Sequence, residues 1–359
     1  MIKIHNISFR FLLVFLLYLL LPISCIDKLD FVGDTQEGQL VIYGLFTDGD
    51  ERQAVNVSQT AAFGLSPRGV PNAQVFLLNS RGERISRYYS IGNGEYEIFG
   101  VKAVAGESYA IEVILDENVY RSKFEKVPEL LAEDVLSFGF ANEPFRTESL
   151  ESVFTVFSET TLPATRDPIY LRWMIEETYF WPLVYLPGTG FPPPVPPPCF
   201  ISDIIEPNRL NLFNGSGTST RKANFVVGKR RVDNSFLYPL FVSVRQLSIN
   251  REAYEYWEKI KIVINNQGSL FDVPPAPVFG NISNIEDQNE IVLGYFEVAK
   301  TKVTRIYTTR ADVPFYLVDP CQYFPNKPED TYASECRSCD SRAQGRRWTN
   351  DAPDWWKFD

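Results

Sequence analysis

Short runs of alternating apolar and polar residues, separated by turn residues, fill the chain from about Gln39 to Lys126. Alternation with a period of two is typical of half-buried β-strands, and the Gly, Asn, Asp and Pro residues between the runs indicate turns. The runs lie at 40–46, 54–58, 73–78, 85–89, 96–99, 108–115 and 119–124. Their spacing predicts a seven-stranded β-sandwich, which we place in a first domain of residues 39–127.

The remaining residues, 128–359, are also predicted to form mostly strands. Runs rich in β-branched and aromatic residues predict strands at 153–157, 169–181 and 239–247, and a hairpin of 291–299 with 302–308. One helix is predicted after Asn250, whose side chain can cap it. Its core-facing stripe recurs at helical spacing: Ala253, Trp257, Ile260 and Ile264. We therefore expect a mainly β protein whose second domain is larger, mostly β and carries one helix.

The N-terminus combines a basic region, residues 1–10, with an apolar run at 11–23. This run is shorter than the roughly 20 residues that a membrane-spanning helix needs. The small residue before Cys25 resembles a bacterial lipobox, which predicts a lipoprotein signal peptide at 1–24, acylation of Cys25, and a tether at 25–38. The alternatives are an uncleaved membrane anchor, or cleavage elsewhere that leaves Cys25 an ordinary thiol.

Acylation of Cys25 predicts a protein that is anchored to a membrane by lipid. Asp27 and Asp30 follow the cysteine closely, and acidic residues near the anchor resemble the surface-export signals of Bacteroidota lipoproteins. Two isolated aspartates do not decide between the cell surface and the periplasmic leaflet, so both locations stay open.

Four further cysteines occur in the chain: Cys199, Cys321, Cys336 and Cys339. An even number in an exported protein predicts disulfides, and four cysteines allow three pairings. A four-thiolate zinc site and free thiols are the other interpretations of these residues.

The loop at 183–199 is rich in proline, with the sequence LVYLPGTGFPPPVPPPC. Its proline triplets favour a stiff polyproline II segment that stays in solvent. Aromatic residues near its base are candidate contacts for a partner protein: Tyr179, Phe180, Trp181, Tyr185 and Phe191. The alternative is a rigid loop without a partner, with these rings folded onto the sheet.

The C-terminal tail carries a second aromatic group: Trp348, Trp355, Trp356 and Phe358. Aromatic side chains are over-represented at interface hot spots, so a docking tail is one interpretation. The other is that these rings close the core of the second domain, aided by the tail cysteines.

Charge and composition exclude several kinds of function. The formal net charge of −10 argues against a nucleic-acid partner, and the one histidine, His5, lies in the predicted signal peptide. A mature chain without histidine has no Ser-His-Asp triad and no His-ligated zinc. Glu176 and Glu177 form the best local carboxylate pair, but neighbours on a strand face opposite sides. We therefore expect no enzyme activity, no metal and no cofactor.

Several motifs in a fixed order are more specific than any one of them. They lie at 40–44 with 47–49, 71–75, 94–96, 268–275, 280–284, 292–296, 336–339 and 354–356. This order resembles domain-of-unknown-function family 4249, whose members are Bacteroidota outer-membrane lipoproteins. GEY at 94–96 and GESY at 106–109 also resemble turns of transthyretin-like modules, which implies an Ig/transthyretin-like sandwich. Family members are typically encoded beside TonB-dependent receptors.

Two functions are therefore expected to compete. In the first, the protein is a non-enzymatic accessory or structural subunit of a TonB-dependent receptor or outer-membrane assembly complex. In the second, it is a surface module that binds a glycan or peptide for nutrient capture. The first predicts a partner surface, and the second predicts a concave site lined by aromatic residues.

Overall fold

Strands form most of the computed structural model, and the fold is mainly β, as the sequence predicts. The described residues are 38–49, 52–62, 65–165, 167–184, 196–216, 221–265, 277–324 and 327–357. The predicted signal peptide, Cys25, most of the tether, Tyr185, Phe191 and Phe358 lie outside them. Within these ranges, no helix has both the length and the apolar character needed to cross a membrane.

The first region contains strands that match all seven predicted runs. Its strands are β1 (Leu40–Thr47), β2 (Gln53–Gln59), β3 (Arg68–Gly69), β4 (Gln74–Leu78), β5 (Arg84–Gly92), β6 (Glu95–Ile98), β7 (Ser108–Leu115), β8 (Asn118–Ser122) and β9 (Glu125–Lys126). The two strands that were not predicted, β3 and β9, are each two residues long.

These strands fold into two layers around one core. One layer has the order β5-β6-β2-β1 and the other β8-β7-β4-β5, so β5 belongs to both. Alternation directs Val55 from one layer and Ile111 from the other into the core. The buried Tyr96 hydroxyl donates to the carbonyl O of Val70 at 2.6 Å and accepts from the N–H of Ala73 at 2.8 Å. The result is the β-sandwich that the sequence predicts.

A segment far along the chain, residues 277–299, completes this sandwich. It contributes β17 (Ile282–Asn284), which pairs antiparallel with β8. Gly294 in the segment has a φ of 96°, and a Cβ there would lie 1.9 Å from the carbonyl O of Ile42. Glycine is required for this close approach. The first region therefore includes residues beyond the domain boundary expected at 127.

The second region holds the remaining strands and the two α-helices of the described residues. Its elements are β10 (Glu133–Pro144), β11 (Leu150–Thr161), β12 (Tyr170–Trp181), β13 (Cys199–Ile204), β14 (Asn211–Asn214), β15 (Lys222–Arg231), β16 (Leu240–Ile249), α1 (Arg251–Asn265), β18 (Phe296–Thr308), α2 (Cys339–Ala343) and β19 (Arg347–Thr349). Four 3-10 turns lie at Asn234–Leu237, Arg310–Asp312, Glu329–Thr331 and Ser334–Cys336.

The predicted hairpin of 291–299 with 302–308 is wrong, because β18 is one continuous strand. The first four residues of β18 pair in parallel with the end of β1, and residues 300–308 pair antiparallel with β16. Lys300-Thr301-Lys302 lacks the Gly, Pro or Asn typical of a tight turn, so the chain stays extended through it. Strand β18 thereby joins the sheets of both regions into one.

Within the described residues, this joined sheet has the order β17-β8-β7-β4-β5-β6-β2-β1-β18-β16-β12-β13-β19. A separate sheet, β10-β11-β15, belongs to the second region and packs on one face of the joined sheet. Phe154 from this sheet shares a core with Trp173 and Val242 from the joined sheet. Strand β12 is therefore central in its sheet and covered on this face.

The predicted helix is confirmed as α1. The side-chain Oδ1 of Asn250 accepts from the N–H of Ala253 at 2.8 Å, which caps the first turn. Ala253 is buried, while Trp257 and Ile260 are partly buried against the sheet. The predicted stripe therefore faces the core, with its fourth member, Ile264, half-buried near the C-terminal end.

A buried ion pair lies between the sheet and α1. The Nη2 atom of Arg172 on β12 is 3.1 Å from Oε1 and 3.0 Å from Oε2 of Glu297 on β18. The indole Nε1 of Trp257 on α1 donates to Oε2 of Glu297 at 2.5 Å. The guanidinium carbon of Arg172 lies 4.5 Å from the centre of the Trp257 ring. Three elements that are distant in sequence are therefore held by one charged group.

A second buried carboxylate, Glu125, lies where the 277–299 segment meets the first region. Its Oε1 atom accepts from the Tyr295 hydroxyl at 2.6 Å and from Nδ2 of Asn281 at 3.0 Å, while Oε2 has no partner among the described residues. Burial raises the pKa of Glu125 to about 7, although both hydrogen bonds oppose the shift.

The raised pKa of Glu125 predicts that stability falls as the pH rises. Between the unfolded pKa of about 4.5 and the folded pKa of about 7, the unfolded chain releases this proton first, so deprotonation favours unfolding. Glu125→Gln keeps the acceptor for Tyr295 and Asn281 but cannot ionise. From pH 4 to pH 8 we expect its stability, relative to the wild type, to rise by about 3 kcal/mol. Urea denaturation across this range measures the difference.

Glu117→Gln, in an exposed turn of the same region, is the matched control for losing one carboxylate. It should keep the pH profile of the wild type. Parallel profiles for Glu125→Gln and the wild type would contradict the assignment of the pH dependence to Glu125.

Candidate functional site

Two disulfides involve the C-terminal tail, and one of them attaches the tail to β13. Cys199 at the start of β13 bonds to Cys339, and Cys321 bonds to Cys336. The predicted disulfides are confirmed, and these bonds use the thiols that a zinc site would need. Each cysteine of the CxxC pair bonds to a different partner, so one bond ties the tail to β13 and the other closes a loop within the tail.

Hydrogen bonds attach the same tail to both ends of the Pro-rich loop. On one side, the N–H of Val184 donates to the carbonyl O of Cys336 at 2.8 Å. On the other side, Nδ2 of Asn350 donates to the carbonyl O of Pro198 at 2.8 Å. We call residues 183–184, 196–199, 316–324 and 327–350 the disulfide-linked end; residues 185–195 of the loop and residues 325–326 lie outside the described residues.

The aromatic residues at the end of β12 face inward or lie under the tail. Tyr179 and Trp181 have no exposed area, because tail residues cover β12. The guanidinium carbon of Arg342 on α2 lies 3.8 Å from the centre of the Trp181 ring, whose Nε1 donates to the carbonyl O of Glu335 at 2.9 Å. Phe180 is half-buried. Tyr179 and Trp181 therefore pack against the inner side of the disulfide-linked end, and their side chains are not accessible to a partner protein.

A cluster of charged side chains lies beneath the tail. Glu177 on β12 forms an ion pair with Arg230 on β15, and Arg230 is also 2.9 Å from Asp233. Burial raises the pKa of Glu177, and Arg230 opposes that rise. Burial would also raise the pKa of Asp233, but Arg230 and Ser235 hold it below its ordinary value. One guanidinium thus pairs with two carboxylates and ties β12 to the end of β15, which favours a structural role.

The carboxylates of Glu176 and Glu177 do not share a site. Glu176 pairs with Arg347 at 2.6 Å, whereas Glu177 lies in the buried network on the other face of β12. In the described part of the chain, no group of three or more His, Cys, Asp or Glu side chains is arranged to hold a metal ion.

Two of the tail tryptophans pack on the outer face of the sheet. The rings of Trp355 and Trp356 lie 5.6 and 4.5 Å from the ring of Phe241 on β16, and both are half-buried. This placement matches the interpretation in which the tail covers the second region. Trp348 differs, because it lies on the short edge strand β19 and 41% of it is exposed.

The most exposed aromatic residues of the disulfide-linked end are not among the contacts predicted from the sequence. Tyr316 is 87% exposed and Phe324 is 50% exposed, with Val318 and Tyr323 also on the surface. Phe315 and Leu317 alternate with them and pack against the core. We call residues 316–324 the exposed aromatic segment. The alternating positions are all apolar, so the sequence pattern alone does not mark the outward face.

The exposed aromatic segment is fixed at three of its residues. Cys321 ties it to Cys336, and Oδ2 of Asp319 accepts from the Tyr238 hydroxyl at 3.0 Å. The N–H of Phe324 donates to the Tyr332 hydroxyl at 3.0 Å. A fixed, apolar and aromatic surface of this kind suits contact with a protein.

The fold and the disulfide-linked end define a mainly β protein with a β-sandwich, a larger second region and a cross-linked tail. The chain belongs to the family described as Domain of unknown function (DUF4249), which matches residues 26–305. The match ends within β18, so Cys199 lies inside it and the tail cysteines Cys321, Cys336 and Cys339 follow it.

None of the curated proteins matches this chain. Among solved structures, the native conformation of E. coli alpha-2-macroglobulin aligns with 77% of the chain at 13% identity and a TM-score of 0.20. The alignment spans 14% of that protein's length, and a similarity at this level carries no argument about fold or function.

Proposed function

We propose that the protein is a non-enzymatic, lipid-anchored outer-membrane protein that binds a partner through its disulfide-linked end. The partner is a TonB-dependent receptor or another outer-membrane β-barrel, for which this chain is an accessory or structural subunit. The observation that carries the proposal is the exposed aromatic segment, whose apolar rings are held outward by a disulfide and two side-chain hydrogen bonds.

The distance between this segment and Leu40, where the described chain enters β1, supports the proposal. The described chain enters β1 at Leu40, and β18 runs parallel to β1 from Phe296 onward. Thr47 at the end of β1 lies beside Ala299, and β18 continues for nine residues to Thr308. At about 3.3 Å per residue, the end of β18 lies roughly 50 Å from the entry along the strands. Thr308 at the end of β18 pairs with Leu240, which pairs with Tyr179 on β12, so the disulfide-linked end is far from Leu40.

Purification from native membranes tests the proposal. An affinity tag inserted at the exposed Arg81–Gly82 turn leaves the tail free, because loop tips tolerate insertions. From the membrane fraction, extracted with a gentle detergent, we expect a stoichiometric outer-membrane β-barrel to co-purify. Tyr316→Ser combined with Phe324→Ser should reduce its recovery by roughly tenfold or more, as loss of interface hot spots does.

Tyr89→Ser is the matched control, since Tyr89 is 68% exposed on the first region. This variant should recover the partner as well as the wild type does. Recovery of the tagged protein alone, or equal loss of the partner in both variants, would overturn the proposed docking surface.

A further inference from the structure

An open groove of about 1000 Å³ lies between α1, β15, the loop after β13 and the tip of the β10–β11 hairpin. It is at the opposite end of β12 from Trp181 and shares no residue with the disulfide-linked end. Its volume is at the upper end of the range for small-molecule sites. Its lining carries both aromatic and polar side chains.

The floor of the groove is apolar and rigid. The rings of Trp173 and Phe225 lie 4.9 Å apart, and the indole Nε1 of Trp173 donates to the buried Asp134 at 2.9 Å. Leu212 and Ile264 extend this apolar surface. The floor is therefore formed before any ligand arrives, which lowers the entropy that binding would cost.

One wall is fixed by side chains that bond to the backbone of β15. Arg209 donates from Nη2 to the carbonyl O of Val226 at 2.8 Å, and Asn211 donates from Nδ2 to the carbonyl O of Val227 at 2.7 Å. These carbonyl groups are therefore occupied. An extended peptide that needs free backbone groups of β15 at this point would not find them.

The remaining polar groups of the groove have unused hydrogen-bonding capacity. The side chains of Lys261, Asn208 and Asn224 form no hydrogen bond or ion pair within the described part of the chain. Arg146 has no ion-pair partner there, and its guanidinium lies 5.6 Å from the centre of the Phe145 ring. Amides of this kind can bond neighbouring hydroxyls as donor and acceptor together.

The charge of the lining is opposite to that of the protein. Three cations, Arg146, Arg209 and Lys261, line the groove with one carboxylate, Glu206. The Oε2 atom of Glu206 already accepts from the N–H of Lys229 at 2.7 Å and from Arg209 at 3.3 Å. In a chain with a formal net charge of −10, this surface offers mainly donors and positive charge. A matching ligand brings acceptors and negative charge.

We propose that this groove binds an acidic oligosaccharide containing uronic acid residues. The carbon face of a sugar ring suits the apolar floor, its hydroxyls suit the free amides, and its carboxylate suits Lys261 and Arg146. This site is independent of the proposed partner surface, so either one can fail without the other.

Calorimetric titration of the purified full-length protein tests the site. The probe is tetragalacturonate, and the neutral probe is a galactose tetramer of the same length. We expect saturable binding of tetragalacturonate that weakens as salt is added, and little binding of the neutral probe. Lys261→Ala should weaken binding by roughly tenfold or more, since it removes a charge-assisted contact.

Lys259→Ala is the matched control, because Lys259 is exposed on the same helix and does not line the groove. It should bind tetragalacturonate as the wild type does. Hexaglutamate serves as the rival probe for an acidic peptide. Equal binding of hexaglutamate, equal effects of the two lysine variants, or no binding of tetragalacturonate would each overturn the proposal.

Discussion

Replacing Arg172 with methionine is expected to lower the free energy of unfolding by about 3–5 kcal/mol. The side chains of Arg172 and Glu297 are 5% and 0% exposed, so the substitution leaves a carboxylate in the interior without its cation. Within the described residues, the hydrogen bond that remains on Glu297 comes from Trp257, and it cannot replace three contacts from a guanidinium.

The charged state of the pair explains the size of this effect. Burial alone would lower the pKa of Arg172, but the Glu297 carboxylate beside it raises that pKa above its ordinary value. Removing one partner of a buried pair costs far more than removing both, because the remaining charge has lost its solvent and its counter-charge. Arg172→Met also removes the guanidinium from the face of the Trp257 ring.

The double variant Arg172→Met, Glu297→Leu separates these causes. It should recover most of the lost stability in urea denaturation followed by tryptophan fluorescence. Arg87→Met, at an exposed position of β5, controls for loss of a surface arginine and should change stability by less than about 0.5 kcal/mol. If the double variant were no more stable than Arg172→Met, the unpaired Glu297 would not be the cause.

The strands and the helix could be predicted because their signals are local. Alternation of apolar and polar residues marked the seven runs of the first region, and Asn250 marked the start of α1. Strand β18 shows the limit of such signals. Its parallel pairing with β1 joins residues about 250 positions apart, and no feature within 300–302 indicates that contact.

The candidate site was harder to predict, because the exposure of a side chain depends on residues far along the chain that pack over it. The run IYLRWMIEETYFW has the composition of a strand, and it forms β12. Whether Trp181 is a contact or a core residue depends on α2, which lies more than 150 residues later. Tyr316 is the reverse case. Its apolar neighbours in the sequence suggest a core residue, but its side chain lies on the outer side of the segment and is exposed. The disulfide pairing likewise depends on the fold, because four cysteines allow three pairings.

Removal of the disulfide between Cys199 and Cys339 is also expected to lower the free energy of unfolding by a large amount. This bond closes a loop with a sequence separation of 140, whereas the bond between Cys321 and Cys336 closes one of 15. In the chain-entropy account, the longer loop corresponds to about 5 kcal/mol and the shorter to about 3 kcal/mol. Cys199→Ser with Cys339→Ser should therefore destabilise the protein more than Cys321→Ser with Cys336→Ser.

The order of stability of these two variants tests whether loop length or local packing dominates at the disulfide-linked end. Each pair is compared with the wild type by urea denaturation, with and without a reducing agent. The reducing agent should bring the wild type close to a variant that lacks all four cysteines, and it should leave that variant unchanged. The reverse ranking would show that local packing around Cys336 matters more than loop length. In that case the buried Trp181, which bonds to Glu335, would be the stronger attachment of the tail.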